Sequence, residues 1–212
     1  MNVSFPMRAA LILGVLGLCS SAYGQSFSNP NPITINPVGT GTPWPSTISV
    51  SGLTGNIQSI SIQLNGVSHT FPDDIGAVVV GPTGTNVLLF DGPGDGDDIS
   101  SLTWLFTDSA GAPLPNSGVL SSGSFQPGQN QWGDDFSGGG GGAPAPPYGS
   151  TMAAYTGSNG NGTWSLFVGD FVDGDGGSIS GGWTINIQQV PEPSALALSA
   201  LVLPMLLRRR HV

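Results

Sequence analysis

Glycine and proline interrupt this chain so often that no long regular element fits between them. The sequence holds 34 Gly and 18 Pro in 212 residues. Each costs a helix interior roughly 1 and 3 kcal/mol respectively relative to alanine. Between the interruptions lie short runs with the two-residue period of a half-buried strand. "IQSISIQL" places Ile60, Ile62 and Leu64 on one face, and "TISVSGL" alternates in the same way. "IGAVVVG" and "NVLLF" are continuously apolar, as strands covered on both faces are, and "LTWLF", "TWSLFVGD" and "WTINI" follow. Outside the two ends of the chain, no window carries a helical period. Many short strands joined by Gly-rich turns predict an all-β fold, an antiparallel β-sandwich or jelly roll. "DFSGGGGGAPAPPYG", with five consecutive glycines and three nearby prolines, is expected as an irregular loop.

Charge narrows the function. The formal net charge is −9, from 13 acidic and 4 basic side chains. The basic residues are Arg8, Arg208, Arg209 and Arg210, so no lysine or arginine lies from Ala9 to Leu207. That interior carries twelve aspartates and Glu192. A surface of this kind repels nucleic acid and anionic membranes, and neither is expected as a partner. Its self-repulsion opposes compaction unless counter-ions bind.

The ends read as export and sorting signals. Arg8 followed by "AALILGVLGL" and "AYG" fits a secretory signal peptide over 1–24, cleaved between Gly24 and Gln25. The single cysteine, Cys19, falls inside it, so the mature protein is expected without disulfides. Residues 25–45 are rich in Ser, Asn, Pro and Thr and read as a tether or lead-in strand, and the β domain is expected over 46–188. At 189–212, Pro191, Glu192 and Pro193 precede an apolar run from Ala195 to Leu207 and then Arg208, Arg209 and Arg210. About 13 apolar residues are too few to span a ~30 Å hydrocarbon core comfortably. The order resembles the PEP-CTERM sorting signal of bacteria. That resemblance implies an exosortase as processing partner, only transient contact with the membrane, and an exported product at the cell surface or outside the cell.

Two internal segments resemble the P domain, or Homo B domain, of proprotein convertases. "HTFPDDIGAVVVGPTGTNVLLFDG" carries His69, Thr70, Asp74, Ile75, Gly81, Pro82, Gly84 and Thr85 of the first pattern. "NGTWSLFVGDFVDGDGGSISGGWTINI" carries Gly162, Thr163, Trp164, Leu166, Val168, Asp170, Asp175, Gly177, Trp183 and Ile185 of the second. The resemblance implies a P-domain-like jelly roll, often with bound Ca²⁺. The protease domain that precedes a P domain in convertases has no counterpart here. His69 is the one histidine of the expected mature region, and no Ser-His-Asp constellation surrounds it in sequence. A non-enzymatic module is therefore expected.

Ca²⁺ takes 6–8 oxygen ligands, and glycines let backbone carbonyls join the carboxylates. "FPDDIG", "DGPGDGDD" and "DFVDGDGG" offer such clusters. The expected metal ligands are Asp73, Asp74, Asp98, Asp108, Asp170, Asp173 and Asp175. The loops lack the EF-hand pattern, and zinc is disfavoured with no cysteine and one histidine left. Of the five tryptophans, Trp164 and Trp183 lie in strand motifs and are expected in the core, whereas Trp132 in "NQWGDDF" is loop-like. The function these features suggest is structural or adhesive, in the cell-surface or exopolysaccharide matrix. The alternatives are a regulatory P-domain module for a separate protease and a carbohydrate-active enzyme, which would draw on paired carboxylates.

Overall fold

A computed structural model describes residues 23–191. The protein is an all-β sandwich of two mainly antiparallel sheets. The first sheet is built on one long strand, β5 (Gly55–His69), and contains β1 (Tyr23–Asn29), β2 (Ile33–Ile35), β8 (Ile99–Phe106), β9 (Gly123–Phe125), β11 (Gly177–Ile179) and β12 (Trp183–Pro191). Along one edge β5 pairs with β12 and then β11, and along the other with β8. The second sheet centres on β10 (Gly162–Asp170), flanked by β3 (Gly39–Thr40) and β4 (Ser46–Val50) on one side and by β6 (Ile75–Val80), then β7 (Asn86–Asp91), on the other.

Alternation decides which side chains fill the space between the sheets. Ile57, Ile60, Ile62, Leu64 and Val67 of β5 face Trp164, Leu166 and Val168 of β10 across one core, joined by Ile185 and Ile187. The continuous apolar runs of β6 and β7 have a different cause. Ala77, Val79, Val87 and Leu89 enter that core, while Val78 and Leu88 point the other way, into a second cluster with Phe136 and Phe167. The glycine-rich segment 135–149 supplies that cover. It contains the short 3-10 turn Phe136–Gly139, and Trp44, Tyr148 and Phe171 pack beside it.

Residues 25–45 are more than a lead-in. β1 pairs with β12 over seven consecutive positions, Tyr23↔Gln189 to Asn29↔Trp183, and β2 pairs with β11. Gly24 and Gln25 of the expected cleavage site lie within β1, and Pro191 is the last residue of β12. Glu192, Pro193 and Arg208 to Arg210 lie outside the described residues, as does nearly all of the expected signal peptide.

Candidate functional site

Register places several aspartates at one end of the sandwich. In the second sheet Asp170 lies opposite Ile75 and Asp91 opposite Gly76, so the end of β10, the start of β6 and the end of β7 sit side by side. The 3-10 turn Pro72–Asp74 leads directly into β6 at this edge. In the first sheet β5 ends at His69, opposite Ile99 and Gly177. Asp73, Asp74, Asp91, Asp170 and Asp175 thus converge from separate segments, and Asp134 joins them from the loop after β9.

His69 and Asp170 form the buried centre. Both side chains are wholly inaccessible, with Nε2 and Oδ2 3.2 Å apart. His69 Nδ1 accepts the Phe71 N–H at 3.1 Å. A nitrogen that accepts carries no proton, so the imidazole proton belongs on Nε2, facing the carboxylate. The approach of Nε2 to Oδ2 does not form a well-directed hydrogen bond, and neither atom has another partner. Asp170 Oδ1 accepts only the Val172 N–H, at 3.1 Å. Burial pushes the Asp170 carboxyl above its ordinary range, against the pull of the Val172 N–H and His69.

The surrounding carboxylates are also strained by their placement. Burial, then the charges of Asp170, Asp175 and Asp73, raises Asp74. Burial likewise raises Asp73, opposed by the nearby Trp132 N–H, and Asp73 Oδ1 accepts the Gln131 side-chain amide at 3.0 Å. Asp175 Oδ1 accepts the Thr70 hydroxyl at 2.8 Å. Asp91 is 1% exposed, its Oδ2 accepts the N–H groups of Gly133 (2.8 Å) and Asp134 (3.1 Å), and its Oδ1 is buried without a partner. Asp134, desolvated and hydrogen-bonded to the Asp91 carboxylate, is pushed up to about 7. A cleft of about 330 Å³ opens here, lined by Asp73, Asp74, Trp132, Asp134, Phe171 and Val172.

Of the seven expected metal ligands, Asp73, Asp74, Asp170 and Asp175 are brought together. Asp98 and Asp173 reach the same end but are exposed on its loops. Asp108 belongs elsewhere: beyond the end of β8 farther from His69, its two oxygens accept the N–H groups of Met152 and Ala153, each at 2.7 Å. Those are orphan donors at the start of the 3-10 turn Met152–Tyr155, so the carboxylate acts as a cap. Asp91 opens the cluster "DGPGDGDD" but is not among the seven expected ligands, and Asp134 lies in no expected cluster. Asp91 closes the "NVLLF" run, and an ionisable residue at the end of a buried strand is the signal that could have found it. Asp134 is 43 residues further along, and only the fold brings the two together.

The chemistry of this donor set suits a hard cation: every acceptor is oxygen, and the negative charge has no partner lysine or arginine. Among the described residues, however, no three His, Cys, Asp or Glu side chains converge closely enough to hold one ion as they stand. Ca²⁺ would require the carboxylates on the loops to turn inward.

Without such an ion, stability should fall as pH rises. The native state holds the Asp134 proton up to about pH 7, whereas an unfolded Asp releases it near 4. The contribution is thus fully present below about 4 and lost by about 7. Asp73, Asp74 and Asp170 lean the same way. Asp135, held low by its hydrogen bonds with Ser137, leans the other way but is fully exposed. In chelator, the thermal midpoint is expected to be higher at pH 5 than at pH 8, and Asp134→Asn should flatten the slope. A midpoint that climbs from pH 5 to 8 would refute the assignment.

No family model matches the chain, and no curated protein matches it. Among solved structures it is similar to a serine protease of Aeromonas sobria, at 14% identity and a TM-score of 0.40, over 80% of this chain and 27% of that one. The same protease in complex with its chaperone gives a TM-score of 0.40 and 14% identity, over 81% of this chain and 27% of that one. This chain therefore spans little more than a quarter of the length of those structures.

Proposed function

We propose that the protein is an exported, non-catalytic β-sandwich module of P-domain type that binds Ca²⁺ and acts in the cell-surface or exopolysaccharide matrix. The carrying observation is the acidic end of the sandwich, where the charges of Asp170 and Asp175 bear on Asp74 and no lysine or arginine lies between residues 9 and 207. Bound Ca²⁺ would supply the missing positive charge, held by Asp170 as it lies and by Asp74 and Asp175 turned toward it. The role is structural: the ion ties the β10–β11 turn to the start of β6 and draws no reaction from the residues around it. A nucleophile poised beside His69 would favour an enzyme instead; its Nε2 faces Asp170 and its Nδ1 a backbone N–H. The C-terminal "PEP" and arginine cluster support delivery to the surface through an exosortase.

The test is to follow the protein in cell fractions of the source bacterium. It is expected to sediment with the extracellular polysaccharide in calcium and to be released by a chelator, while the purified protein turns over neither peptide nor glycoside substrates. Recovery in the freely soluble fraction under both conditions would contradict the matrix role.

A further inference from the structure

Trp132 is 59% exposed, whereas Trp104, Trp164 and Trp183 are wholly buried. An indole left in water forgoes the burial that makes tryptophan a core residue. Yet this one is held in place. Its Nε1 donates to the Asp73 carbonyl at 3.1 Å, and its pyrrole edge rests against Gly92, where any side chain would collide with the ring. Gly92 also has φ +68°, so the bare backbone there is required twice over. A ring fixed at its edge with its surface exposed is a platform rather than a frayed loop.

The platform stands over carboxylates with no lysine or arginine to balance them. Asp134 lines the same cleft. Beneath it Asp91, 1% exposed, leaves Oδ1 without a hydrogen bond. That oxygen lies over the bare face of Gly76, beside the Phe171 ring that walls the cleft. An anionic ligand would meet only repulsion, since no lysine or arginine lies between residues 9 and 207. A neutral ligand would leave the acidic lining of Asp73, Asp74 and Asp134 without a counter-charge. A cation with N–H donors supplies both the charge and the hydrogen bonds. A flat, partly apolar ring attached to that cation would use the indole face, where cation–π attraction adds to stacking.

We propose that the cleft between Trp132 and Asp134 binds a pyranose bearing a protonated amine, an amino-sugar unit of a polysaccharide. The sugar ring stacks on Trp132, and its ammonium group donates to Asp134 and Asp73. The inference rests on the matrix reading for its biological setting and extends it by naming the sugar class. The cleft uses Asp134 and Asp73, while the ion is assigned to Asp74, Asp170 and Asp175.

The experiment titrates the exported protein, in saturating calcium, with a glucosamine tetramer, its fully N-acetylated counterpart and tetralysine, read by tryptophan fluorescence and calorimetry. The glucosamine tetramer is expected to bind at least about tenfold more tightly than either of the others, a difference of about 1.4 kcal/mol. Trp132→Ala and Asp134→Asn should each weaken it by a similar factor, with circular dichroism unchanged and calcium still raising the thermal midpoint. Equal binding of the acetylated tetramer, equal binding of tetralysine, or no binding of the glucosamine tetramer would each overturn the assignment. If the tetramer does not bind while the protein still sediments with the matrix in calcium, the cleft assignment fails and the matrix role stands.

Discussion

His69→Ala is expected to lower the unfolding free energy by about 3–5 kcal/mol, the usual cost of stranding a buried charge by removing its partner. Two groups lose their partners at once. The Phe71 N–H no longer meets Nδ1, and Asp170, wholly buried, keeps only the Val172 N–H. Because burial already raises the Asp170 carboxyl, the variant can protonate that residue in acid. The loss should therefore be larger at pH 8 than at pH 5. Denaturant unfolding at both pH values measures it. Adding Asp170→Asn to His69→Ala should recover part of the loss, since the stranded charge is removed even though the amide fits the space imperfectly. A loss below about 1 kcal/mol for His69→Ala, against the 3–5 kcal/mol usual for such a pair, would mean that the pair does not hold this end of the sandwich.

The strands were legible because burial writes a period into sequence. "IQSISIQL" is half of β5, and its isoleucines and Leu64 are core residues. The continuous runs of β6 and β7 signalled cover on both faces, but not what covers the second one. That cover is Phe136 and Tyr148, delivered by a glycine-rich segment with no period of its own. Residues 25–45 read as a tether or a lead-in strand because their prolines and asparagines mask the alternating pattern of β1 and leave only "PITINPV", which holds β2. Long-range pairing overrides that local signal: Gln25 meets Ile187, and Ile35 meets Gly177. The tryptophans were easier to read: Trp104, in the strand run "LTWLF", is wholly buried, and Trp132, loop-like in sequence, is the most exposed aromatic of the acidic end.

The acidic end was half legible. Clustering in "FPDDIG" and "DFVDGDGG" marked Asp73, Asp74, Asp170 and Asp175, and register brings those two segments to one end of the fold. Asp108, a lone carboxylate in "FTDSA", is a cap, which residue type alone does not distinguish from a ligand. Clustering could not reveal Asp91 with Asp134, which are neighbours only because β7 ends where the loop after β9 returns.

The most direct test of the account is the thermal midpoint in calcium and in chelator. A ligand that binds only the folded state stabilises it by RT ln(1 + [L]/Kd), about 2.7 kcal/mol at a hundredfold excess over Kd. That is a large part of a typical stability of about 5–15 kcal/mol. Calcium should raise the midpoint by several degrees, and sodium chloride at matched ionic strength should not, because screening weakens repulsion without coordinating oxygen. Asp175→Asn should remove most of the calcium-specific rise. Asp108→Asn should lower the midpoint equally in calcium and in chelator, since its carboxylate caps Met152 and Ala153. Melting curves that separate in this way are the predicted result; curves that coincide with and without calcium would contradict the claim that a divalent cation holds the acidic end together.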